Sequence, residues 1–236
     1  MKYLRILPLL LLTLAIAAFV VKGEDDRFIS YTADPKQEAI GMYWKDDRGK
    51  PYGSIANLLT GLSKQKKNVV FAMNGGMYMQ DQTPLGLYIE RGQTLQLLNT
   101  KNANGNFYLK PNGVFYLTDS NKAVVCKTEA FKANRQIRYA TQSGPMLVID
   151  GAIHPAFKQG STNVNVRNGV GVLPDGKVVF AMSKTAVNFY DFALYFKTLG
   201  CKNALYLDGF VSRMYLPEKN WVEKDGNFGV MIAVTK

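Results

Sequence analysis

VVFAMNGGMY, residues 69–78, sets the reading of this chain. Val69 to Met73 is a short β-favouring apolar run that stops at Asn74-Gly75-Gly76. So apolar a run reads as a strand buried on both faces. It ends where glycine, lacking Cβ, lets backbone and ligand approach closely. Folds tend to place binding and catalytic groups at such strand-to-loop junctions. Taken alone, Asn-Gly-Gly is equally an ordinary turn signal, so its surroundings decide.

Outward from that stretch, strand-like runs dominate: residues 28–32, 40–44, 69–73, 85–90, 106–109, 114–118, 123–126, 146–149, 169–173, 177–182, 204–207 and 228–234. Pro111-Asn112-Gly113, Asp150-Gly151 and Pro174-Asp175-Gly176 supply hairpin signals between neighbouring runs. Two helices stand out. Ser54 caps one that runs to about Gln65, with Ile55, Leu58, Leu59 and Leu62 on one face. Asn188 precedes a second over residues 189–199, with Asp191 supporting its start and Gly200 ending it. Many antiparallel hairpins with two main helices predict an α+β fold, a single domain with a largely antiparallel or mixed sheet core.

The chain has 236 residues, 47% hydrophobic and 20% charged, ordinary globular composition. Lys2 and Arg5 precede an almost unbroken apolar run, residues 6–21, before the sequence turns polar at Lys22. This is the basic and apolar pattern of an export signal. Ala15-Ile16-Ala17 offers a cleavage pattern, and an uncleaved anchor is the other reading. Residues 1–23 are therefore read as signal peptide or anchor, and residues 24–236 as an exported domain, periplasmic or extracellular. Contact with a membrane is expected only through that first segment.

Formal net charge is +11; Lys2 and Arg5 carry two of these, leaving +9 to the rest. Such a surface suits anionic partners. The charges are scattered, apart from Lys64, Lys66 and Lys67 at a helix end, and no aromatic-basic nucleic-acid motif is present, so no nucleic acid is expected. Cys126 and Cys201 allow one disulfide or two buried thiols. One histidine and no CxxC or HExxH argue against structural zinc. No cofactor is expected, while calcium or magnesium on carboxylates stays open, and the metal is unknown.

Four further polar-glycine islands follow the first: residues 141–145 (TQSGP), 166–171 (VRNGVG), 205–213 (LYLDGFVSR) and 228–230 (FGV). Asp208 ends a buried run and precedes glycine, which either presents a carboxylate in a cleft or closes an Asx-turn. Arg167 offers a bidentate fork to phosphate or carboxylate, with Arg213 as a second cation; each is otherwise a surface or structural arginine. Ser212 is a phosphate ligand or a turn hydroxyl. His154, in an Ile-His-Pro turn, gives no sign of a catalytic triad.

The ordered set NGGMY (74–78), QSGPMLV (142–148), RNGVGV (167–172) with a following PDGK, and LYLDGFVSRMY (205–215) resembles the exported phosphodiester glycosidase family. The likeness covers roughly residues 65–236. It implies hydrolysis of the bond between a sugar's anomeric carbon and a phosphodiester oxygen, with a sugar phosphodiester or anionic glycan as partner. Catalytic candidates by this resemblance are Asn74, Arg167 and Asp208. Gly75, Gly76, Tyr78, Ser143, Gly144, Ser212 and Arg213 are candidates for substrate binding. Arg167, helped by Arg213, would hold the phosphate. Asn74 and the Gly75 and Gly76 amides would hold phosphate or sugar oxygens, and Asp208 would be nucleophile or base. Asp81 and Asp191 are candidates for a second carboxylate. The uncovering-enzyme branch of the family has a glycine- and serine-rich tail after the LDG turn, where this chain has Phe210-Val211-Ser212-Arg213. A non-catalytic exported module binding an anionic glycan or phosphate-containing polymer, or an anchored envelope protein working through protein contacts, are the competing expectations.

Overall fold

The structure is a computed structural model that describes residues 25–236. The signal or anchor expected over residues 1–23 lies outside the described residues. In chain order the elements are β1 (Phe28–Ala33), β2 (Ala39–Tyr43), α1 (Ile55–Lys64), β3 (Val69–Asn74), β4 (Tyr88–Glu90), β5 (Gln93–Gln96), β6 (Gly113–Thr118), β7 (Ala123–Lys127), β8 (Ile137–Ser143), β9 (Met146–Ile149) and β10 (Ala152–Ile153). Then follow β11 (Asn168–Val172), β12 (Val178–Ser183), α2 (Phe189–Thr198), β13 (Ala204–Asp208), β14 (Met214–Leu216), β15 (Trp221–Val222) and β16 (Met231–Thr235). The fold is α+β.

The strands form three antiparallel sheets, ordered β1-β12-β11-β13-β9-β10, β15-β14-β3-β16-β2 and β5-β4-β8-β6-β7. One apolar core draws on all three: Phe180 and Leu205 from the first, Phe71 and Ile232 from the second, Tyr88 and Phe115 from the third. Alternation along each strand feeds two layers at once. In β16, Ile232 and Val234 enter the shared core, while Met231 and Ala233 face α1 beside Ile55, Leu58 and Leu62. In β12, Phe180 and Met182 point inward, while Val179 and Ala181 meet Phe192 and Phe196 of α2. Each helix thus lies on the outer face of one sheet.

Both helices start as their sequences dictate. The Ser54 hydroxyl accepts from the Asn57 amide at 3.3 Å, and the Asn188 side chain accepts from the Asp191 amide at 2.9 Å. Gly200, at φ 87°, stops α2 in a conformation that suits glycine. The Pro174-Asp175-Gly176 turn joins β11 to β12, with Val172 opposite Val178.

Two expectations are corrected. Residues 106–109 are not a strand: Asn106–Tyr108 is a turn of 3-10 helix, entered from Gly105 at φ 107°. Phe107 alone of that turn reaches the core, so the alternation a strand needs is missing. Pro111-Asn112-Gly113 is accordingly a bend from that turn into β6, where the Asn112 side chain donates to the Phe107 carbonyl at 2.9 Å. Five strands were missed altogether, β5, β8, β10, β14 and β15; the longest is β8, which pairs with both β4 and β6. Its last three residues, Thr141, Gln142 and Ser143, are polar yet buried. They can be buried because each is bonded: Thr141 to the Gly75 carbonyl, Gln142 to the Leu87 and Asn99 backbone, Ser143 to the Leu207 carbonyl. Hydropathy carries no trace of such pairing.

Candidate active site

Three strand ends meet at one point. β3 ends in Asn74, β11 begins with Asn168 and β13 ends in Asp208, with Asn168 opposite Asp208 in the ladder. The next pair is Gly169 with Tyr206, so Leu207 is the extra residue of a β-bulge. Bulges of this kind re-aim side chains beside sites.

Backbone donors fix both amide orientations. The Arg213 N–H meets Asn74 at 3.0 Å, and a backbone N–H only donates, so the atom it meets is Oδ1. The Asn74 Nδ2 therefore points to Asp208, donating to Oδ2 at 3.2 Å. The Asp208 N–H donates to Asn168 Oδ1 at 2.8 Å, which turns Asn168 Nδ2 to the Asn74 carbonyl and Oδ1, both at 2.9 Å. Asn74 and Asn168 are fully buried. The second carboxylate oxygen of Asp208 accepts from the Gly209 N–H at 2.7 Å. Asn74 and Asn168 thus form a locked frame with one carboxylate at its edge.

Burial pushes the Asp208 carboxyl up to about 6, although the N–H groups of Gly209 and Asn74 favour its anion. No cation contributes to that balance. Nearby, the phenol of Tyr78 is raised by burial and then by the Asp208 charge. Asp208 opens into a shallow, open cleft of about 410 Å³ lined by Met77, Tyr78, Met79, Gln80, Leu85, Phe210 and Val211.

Arg167 sits elsewhere. Asn168 and Asp208 face each other and project on one side of the sheet; Arg167, one residue earlier, projects on the other. It is fully buried and carries no ion pair among the described residues. Its Nε donates to the Val187 carbonyl at 2.8 Å, Nη1 to the Tyr206 hydroxyl at 3.4 Å and Nη2 to the Asn163 carbonyl at 2.9 Å. The guanidinium lies 3.6 Å from the centre of the Phe189 ring, and burial lowers its pKa. Every nitrogen is occupied, so no fork is left for a phosphate. Arg167 reaches the site only through Tyr206, whose hydroxyl would collide with any Cβ on Gly209.

The other expected residues divide. Arg213 lends its backbone N–H to Asn74, while its guanidinium pairs with Asp225 at 2.9 Å. The Ser212 N–H and hydroxyl both bond the Gly209 carbonyl and close the turn after Asp208. Ser143 braces β13 through Leu207, and Gly144 permits close packing, since a Cβ there would meet the Phe107 carbonyl at 2.9 Å. The Gly75 N–H is used by the Val230 carbonyl at 2.8 Å. Gly76 packs on the Thr141 hydroxyl, and its N–H has no acceptor among the described residues. Asp81 accepts from the Thr83 amide within its own loop, and Asp191, in the first turn of α2, accepts from the Asn188 side chain beside Arg27, so neither is brought to Asp208. His154 is buried: Nδ1 accepts from the Ala156 amide, leaving Nε2 to donate to the Lys110 carbonyl. Both cysteines are free thiols. Among the described residues no group of three His, Cys, Asp or Glu side chains could hold a metal ion, and no helix is long and apolar enough to cross a membrane. Asn168, Tyr206 and Thr141 were missed by sequence reasoning; the first sits beside Arg167 in the RNGVGV island, a polar residue opening a buried strand.

A family model described as phosphodiester glycosidase matches residues 67–233. The protein YigE of Escherichia coli (strain K12), described as uncharacterized, is 43% identical over 188 residues, 79% of this chain and 73% of that one. The catalytic domain of zebrafish N-acetylglucosamine-1-phosphodiester alpha-N-acetylglucosaminidase, auto-inhibited by its pro-peptide, is similar in fold. Its TM-score is 0.55 at 14% identity, covering 89% of this chain and 88% of that one. A Burkholderia pseudomallei K96243 protein, presumptively exported by its description, gives a TM-score of 0.59 at 11% identity, covering 89% and 74%. At these identities the two structures speak for the fold alone.

Proposed function

The chain belongs to the phosphodiester glycosidase family, and we propose that it is an exported hydrolase of glycosyl-1-phosphodiesters in which Asp208 is the catalytic base. One observation carries this reading: a carboxylate with no counter-ion among the described residues, held by two N–H donors at the edge of a cleft and raised to about 6. A base of that strength is matched to work near neutral pH. Asp208 takes a proton from water, the water oxygen bonds to the anomeric carbon, and the bond from that carbon to the phosphate oxygen breaks. The electron pair leaves with the phosphate. Ordinary glycosidases need a second carboxyl to protonate the leaving oxygen. A phosphomonoester is already stable as an anion, so a single carboxylate suffices. A chain basic overall favours an anionic substrate.

The test is a panel of sugar-1-phosphodiesters assayed with the full chain, scoring free sugar and phosphomonoester together. Turnover of at least one member is expected; none across the panel contradicts the reading, and unchanged glycan affinity in Asp208→Asn would then favour a binding module. Asn74→Ala removes the amide that aims the carboxylate. Its kcat is expected to fall about 10- to 100-fold with KM little changed, since small misplacements of a reacting group cost that much.

A further inference from the structure

We propose that the cleft beside Asp208 seats a hydrophobic alcohol esterified to the phosphate, so that the substrates are amphiphilic glycosyl phosphodiesters. The inference rests on the reading of Asp208 as the reacting group. Met77, Met79, Leu85, Phe210 and Val211 make up most of its walls, with Tyr78 and Gln80 completing them around Asp208, and among the described residues no Lys, Arg or His lines them. Phe210 is 88% exposed and Met79 41% exposed. Phe210 stands two residues beyond Asp208, so its ring is at the mouth of the reacting site.

That exposure is built in. The turn carrying Phe210 is closed by the Ser212 N–H on the Gly209 carbonyl at 2.6 Å, and the next residue is tied to Asn74 through the Arg213 N–H. The backbone is held on both sides of a ring that the fold does not bury. Exposed apolar surface grouped around a polar centre marks a ligand seat. The missing cations point the same way. Arg213 is engaged by Asp225 and Arg167 lies behind the sheet, so the phosphate gains little from charge here. Binding must come from the alcohol. Two methionines suit a flexible chain, because their side chains adapt to irregular apolar shapes.

The experiment compares kcat/KM of the full chain for methyl and octyl esters of one sugar-1-phosphate, with the octyl ester kept monomeric. Each methylene seated should raise kcat/KM about 4-fold, so even two or three seated of the seven added give a gain of about 30-fold. Phe210→Ser, which removes no core contact, should cut the octyl-to-methyl ratio to about a third or less. Equal values for the two esters in the wild type overturn the inference, and the Asp208 reading survives if Asp208→Asn still stops both. If neither ester is turned over with any sugar of the panel, that reading fails, and affinities for octyl and methyl phosphate decide the seat. Octyl binding tighter by about 30-fold supports it, and equal affinities overturn it. A preference seen only on phospholipid vesicles, with monomeric esters equal, assigns the ring to a membrane surface and also overturns it.

Discussion

Asp208→Asn is expected to lower turnover of a sugar-1-phosphodiester by about 10³-fold or more, the contribution of a positioned base, while raising stability at pH 8. The second half follows from the carboxyl's environment. Its pKa is near 3.8 unfolded and about 6 folded, so the folded state binds the proton more tightly. Stability therefore falls as pH rises from below 4 through about 6, and above that the ionised group costs about 3 kcal/mol. An amide removes that cost but turns an NH2 towards the Asn74 or Gly209 donor, losing about 1–2 kcal/mol. The net gain at pH 8 is about 1 kcal/mol, roughly 2–4 °C in Tm for a chain of this size. At pH 4 the gain should vanish or reverse. Thermal melts at the two pH values check the sign, and a variant less stable at pH 8 than the wild type would contradict the placement of an unpaired charge.

Arg167→Ala is expected to destabilise the fold by about 4 kcal/mol, measured by urea denaturation. It opens a cavity among Phe189 and Tyr206 and strands the Val187 and Asn163 carbonyls, each a costly loss in a buried setting. Had Arg167 held the phosphate, as the family resemblance implied, Arg167→Ala would abolish sugar release and leave the fold intact. The two outcomes separate cleanly. A variant with wild-type stability and no activity would mean that the guanidinium touches substrate; an unstable variant that keeps part of its activity below its melting point means that it braces Tyr206 behind Gly209.

What could be read from the sequence was whatever is written in local pattern. The caps at Ser54 and Asn188, the turn at Pro174-Asp175-Gly176 and the buried run of β3 each depend on a few adjacent residues. The islands were visible for the same reason, since glycine and polar residues interrupt apolar runs. Strand β8 was not, because its polar end is buried on the strength of partners far away in sequence, Gly75 and Leu207 among them. Arg167 was misplaced by a related blindness. One residue separates it from Asn168, and in a strand one residue is the difference between two faces. Asn168 went unremarked because an asparagine before glycine looks like a turn, whereas here it holds Asn74 and the backbone of Asp208 at once.

The central claim is that Asp208, ionised, takes the proton from water. The measurement that bears on it most directly is the pH dependence of kcat/KM on a sugar-1-phosphodiester for the wild type. A base of this strength predicts a rate that climbs about 10-fold per pH unit below about 6 and levels off above it. A rate flat down to about pH 4, or an acid limb that persists unchanged in the residual activity of Asp208→Asn, would contradict it.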